Sequence, residues 1–101
     1  MFNLFGKKGG NEFRFKDPEN KPCFTCVHVL NKEKPILYVS HDADGDWQFL
    51  CGAEHDESEA RVIGLKQATE IDTTVNDLYE MPLGVGAERD RVGAKWNPFK
   101  L

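Results

Sequence analysis

Three cysteines and a histidine are the residues of this chain best equipped for chemistry. Cys23 and Cys26 stand in a C-x-x-C pair within "CFTCVHVL", and Cys51 and His55 follow in "FLCGAEH". Thiolate and imidazole are the ligand types of a structural zinc site, so Cys23, Cys26, Cys51 and His55 form a four-ligand set on paper. The spacing argues against it. A zinc ribbon carries its ligand pairs on two tight knuckles, and the second pair here is C-x-x-x-H. The other chemical motifs are weaker. "DADGDW" (42–47) opens like a calcium loop, with Asp42, Asp44 and Asp46 at alternate positions. An EF-hand needs glycine at its sixth position and glutamate at its twelfth, where this chain has Trp47 and Ala53. Asp-Gly between two apolar runs is instead a turn signal.

Nucleophilic catalysis has little to work with. Ser40 and Ser58 lie outside any G-x-S-x-G elbow. A cysteine–histidine pair can be drawn from Cys26 or Cys51 with His28, His41 or His55, but a reactive cysteine needs a partly exposed, electropositive setting. Cys51 is expected in the core, beside many acids. "GVGAER" (84–89) misses the G-x-G-x-x-G phosphate fingerprint because position 89 is arginine, and Arg89 and Arg91 are read as surface charges. No cofactor is expected, and nothing points firmly to an enzyme.

The elements that position these residues follow from periodicity. Residues 1–22 form an N-terminal tail with one short strand, because "NEFRFK" (11–16) alternates Phe13 and Phe15 with polar neighbours and "DPENKP" is a turn-rich break. Residues 23–101 form a single α+β domain. Short β-rich runs near 26–30, 35–41 and 47–51, separated by polar breaks, predict a three-stranded antiparallel meander. Residues 57–71 read either as one helix, with Asp56 and Glu59 as a capping box, or as a strand at 61–65 followed by a helical turn. "DTTVNDLYEMP" is a helix capped by Asp72 or Thr73 and ended by Pro82, and residues after 83 look extended. One or two short helices thus cover the sheet face that carries Trp47 and Phe49.

The pleat then bears on the metal question. If 26–30 is a strand, Val27 and Val29 share the apolar face with Trp47, Phe49 and Cys51. Cys26 and His28 then point the other way, and the set cannot close on one ion.

Size and charge set the remaining bounds. A chain of 101 residues, 40% hydrophobic and 30% charged, is long enough for one modest core. An odd number of cysteines, no apolar leader and no apolar run of membrane length place it in the cytoplasm. The net charge of −4 is polarised. Residues 42–80 hold eleven acidic side chains against Arg61 and Lys66, a local charge of −9. That block excludes nucleic acid as its partner and fits a basic protein. Glu54, Asp56, Glu57 and Glu59 are its densest cluster and the expected partner-binding residues. Oligomeric state is not readable.

The order of features from 26 to 96 resembles a family of small bacterial proteins, immunity protein 33 of toxin–immunity systems. The matching residues are Asp46, Trp47, Phe49, Gly52 and Glu54, then Asp72, Pro82, Gly84 and Arg89. The first strand, "CFTCVHVL", departs from the pattern. The resemblance implies a non-enzymatic cytoplasmic protein that binds and neutralises a partner, here a basic toxin. The other reading of the residues is a small metal- or ligand-binding protein, or a hydrolase, using cysteine and histidine.

Overall fold

The computed structural model describes residues 13–54 and 56–101. Six strands form one sheet: β1 (Pro22–Cys26), β2 (Tyr38–His41), β3 (Trp47–Leu50), β4 (Ala60–Gly64), β5 (Val85–Glu88) and β6 (Asn97–Lys100). Their order across the sheet is β4-β1-β3-β2-β5-β6. Two helices, α1 (Val27–Leu30) and α2 (Leu65–Ile71), and 3-10 segments at Glu57–Glu59 and Thr73–Leu78 complete the α+β architecture.

The sheet is mixed, which corrects the expectation of a purely antiparallel meander. β2 and β3 do form an antiparallel hairpin, with Val39 opposite Phe49 and His41 opposite Trp47. Its turn is built by Asp42, whose Oδ1 accepts the N–H groups of Asp44 and Asp46, while Gly45 supplies a φ of 92°. The first expected strand is displaced. It spans Pro22–Cys26, pairs with β3 in parallel and with β4 antiparallel. Residues 27–30 wind into a single helical turn, despite two β-branched valines. Val29 is buried in the core, and Lys32, at φ 62°, closes the turn with its N–H on the Val29 carbonyl. Core burial thus overrides the strand propensity of "VHVL".

Of the strand expected at 11–16, residues 11 and 12 lie outside the described residues, and 13–16 are not part of the sheet. Phe15 is nevertheless buried, with its ring edge-on to Trp47, and Trp47 Nε1–H donates to Asp17 Oδ2 at 2.9 Å. The open question at 57–71 resolves into a capped 3-10 turn, then β4, then α2; the Asp56/Glu59 capping box is present. "DTTVNDL" is a 3-10 segment capped by Asp72, whose side chain accepts the Thr74 N–H at 2.9 Å.

Cys23, Val39, Trp47, Phe49 and Ile63 form the core face of the sheet, packed with Val29, Ile36, Leu65, Ala68 and Val75. By the alternation of the pleat, Phe24, Gln48, Leu50, Tyr38, Val62 and Phe99 face the other way. No helix among the described residues is long and apolar enough to cross a membrane.

Candidate functional site

The parallel pairing of β1 with β3 decides where the cysteines go. Thr25 lies opposite Phe49, and its hydroxyl donates to the Phe49 carbonyl at 2.6 Å. Both strands therefore run out at the same end of the sheet, β1 at Cys26 and β3 just before Cys51. Beyond Cys51 the chain turns at Gly52, whose φ of 91° is open to glycine at little cost. On the other side α1 begins at Val27 and brings His28 over the strand ends. One ligand atom each from Cys26, His28 and Cys51 lies within 4.8 Å of the other two.

This overturns the pleat argument that kept Cys26 and His28 away from Cys51. Alternation holds only inside a strand, and all three residues sit at or beyond a strand end. Cys23 is different. It lies inside β1, on the core face, fully buried, and burial pushes its thiol up to about 12. It takes no part in the cluster. His55 lies outside the described residues. Of the four residues set out from sequence, Cys26 and Cys51 converge, Cys23 is buried elsewhere and His55 is outside the described residues, while His28, not one of the four, joins the converging pair. A strand drawn four residues earlier, over "PCFTC", would have allowed this grouping.

The acidic loop begins where the cluster ends. Glu54, Asp56 and Glu57 are exposed, and Glu59 is half-buried. Two of the four are engaged locally. Asp56 and Glu59 exchange capping hydrogen bonds, and Glu59 Oε2 lies 3.7 Å from His28 Nε2. Glu54 and Glu57 make no ion pair among the described residues.

The sheet face opposite the core carries no helix among the described residues. Phe24 is 37% exposed and Val62 63%. Between β1, β3 and β4 a recess of about 220 Å³ is lined by Phe24, Thr25, Cys26, Gln48, Leu50 and Ala60. Sequence reasoning missed Phe24 and Val62. Their signal was alternation against the buried Cys23, Thr25 and Ile63, hidden by misplacing the strand.

Arg89 is a second correction. It is buried, not a surface charge. Its guanidinium donates from Nε and Nη2 to the Ile36 carbonyl at 3.2 and 2.9 Å, from Nη1 to Thr74 Oγ1 at 2.9 Å and from Nη2 to Asp72 Oδ2 at 2.6 Å. Trp96 covers it, with Cζ 4.0 Å from the ring centroid. Every fork of the arginine is used within the fold, so its role is to tie the end of β5 to the α2 exit.

No protein-family model, curated protein or solved structure matches this chain.

Proposed function

We propose that this is a non-enzymatic protein-binding module that holds a basic partner on its uncovered sheet face and the adjoining acidic loop. The observation that carries this reading is the apolar recess around Phe24, whose lining residues Leu50 and Ala60 bracket the exposed Glu54, Asp56 and Glu57 in the chain. An apolar hollow between strands that an acidic segment joins fits an aliphatic or aromatic side chain flanked by lysine or arginine. The apolar contact supplies affinity and the charges supply rate and register. Because Asp56 and Glu59 are partly spent on capping, Glu54 and Glu57 carry most of the attraction. The resemblance to immunity protein 33 makes a basic toxin the partner proposed, bound in the cytoplasm and neutralised by occlusion.

The test uses two immobilised baits in lysate of the source organism, the wild-type chain and a Phe24→Thr/Val62→Thr variant. Threonine keeps strand propensity while removing the apolar surface. The proposal expects a basic protein retained by the wild type and lost by the variant, with unchanged circular dichroism. Equal capture of the same proteins by both baits would contradict it.

A further inference from the structure

We propose that Cys26, His28 and Cys51 form a binding site for one Zn²⁺ ion at the end of the sheet, a role independent of the protein-binding reading. The three ligand atoms already lie within 4.8 Å of one another. Tetrahedral zinc, with bonds near 2.0–2.3 Å, separates its ligand atoms by about 3.5–3.8 Å, so side-chain adjustments of roughly 1 Å close the site. The scaffold beneath is firm, since two paired strand ends and the Thr25–Phe49 hydrogen bond fix the cysteine backbones.

Electrostatics favour the same ion. Both cysteines are buried, whereas the His28 side chain is 24% exposed and opens the cluster to solvent. Two thiolates and a neutral imidazole balance the charge of Zn²⁺, leaving no net charge in a half-buried place. Binding releases the two thiol protons to water. Glu59 lies beside the ring, its Oε2 3.7 Å from His28 Nε2, as an outer carboxylate that helps to orient the imidazole. These three ligands, the set found among the described residues, fill three of the four tetrahedral positions.

The experiment titrates the reduced, metal-free full chain with Co²⁺ and then Zn²⁺. The proposal expects one cobalt per chain, a thiolate-to-cobalt charge-transfer band with tetrahedral visible absorption, bleaching by one equivalent of Zn²⁺, and two protons released per zinc. Glu59→Gln should weaken binding roughly 10-fold, the cost typical of an outer partner. Cys26→Ser, His28→Ala and Cys51→Ser should each cost more, and Cys23→Ala nothing. A second measurement needs no variant: on the wild-type chain, zinc should slow alkylation of Cys26 and Cys51 and leave Cys23 unaffected. Absence of the thiolate band, binding that survives Cys26→Ser/Cys51→Ser, or equal alkylation with and without zinc would overturn the site.

Discussion

Arg89 shows how one side chain can join segments distant in sequence. Its three guanidinium nitrogens reach a carbonyl on the approach to β2, a hydroxyl and a carboxylate at the α2 exit. Removing one partner of a buried pair leaves the other uncompensated, which costs about 3–5 kcal/mol. Arg89→Ala should therefore lower unfolding free energy by that order in urea. Arg89→Lys should recover little, because an ammonium cannot occupy the fork geometry. Cys23 makes the opposite point, a buried group whose value lies in staying neutral. Its thiol is raised from 9.0 to about 12 by burial in the folded state. Below pH 9 both folded and unfolded chains hold the proton. Above it the unfolded chain loses the proton first, so stability falls as pH rises from 9 toward 12. Denaturant midpoints across that window should drop more steeply for wild type than for Cys23→Ala.

At the scale of elements, the outer edge of the sheet depends on a glycine. Gly86 faces Phe99 across the β5/β6 pair, and a Cβ there would meet Phe99 Cζ at 2.7 Å and the Val39 carbonyl at 3.1 Å. Overpacking of this kind costs about 1–3 kcal/mol. Gly86→Ala should fall in that range by urea titration, and Phe99→Leu in the same chain should return part of the loss. An additive double mutant would mean that the ring does not lie over the glycine.

The same scale explains what the sequence could disclose. The β2/β3 hairpin was legible because alternation, the Asp-Gly turn and Trp47 and Phe49 all agree. The Asp56/Glu59 box and the Asp72 cap were legible because capping is local chemistry. The start of β1 was not. "VHVL" has the stronger β propensity, yet "PCFTC" is the strand, and what decides between them is the burial of Val29 and the pairing of β1 with β3 and β4, none of which a local window contains. That single displacement hid both the Cys26–His28–Cys51 convergence and the exposed Phe24/Val62 face. Arg89 was misread for a related reason. A buried arginine is recognised by its acceptors, and these lie 15 to 53 residues away.

For the whole molecule, the property that bears on the proposed partner is the concentration of negative charge in the middle of the chain. Residues 42–80 carry −9, and the exposed Glu54 and Glu57 lie in the segment that joins the recess residues Leu50 and Ala60. A field of that sign steers a basic partner over distances that salt screens within ~8–10 Å near physiological ionic strength. The measurement that tests this most directly is stopped-flow association between the chain and the basic partner that the Phe24→Thr/Val62→Thr bait fails to retain, run across a salt series for wild type and for Glu54→Lys/Glu57→Lys. The account predicts a wild-type on-rate that falls steeply with salt, and a variant about tenfold slower at low salt with little change in dissociation. On-rates within about a factor of two of each other, flat across the salt series, would contradict it.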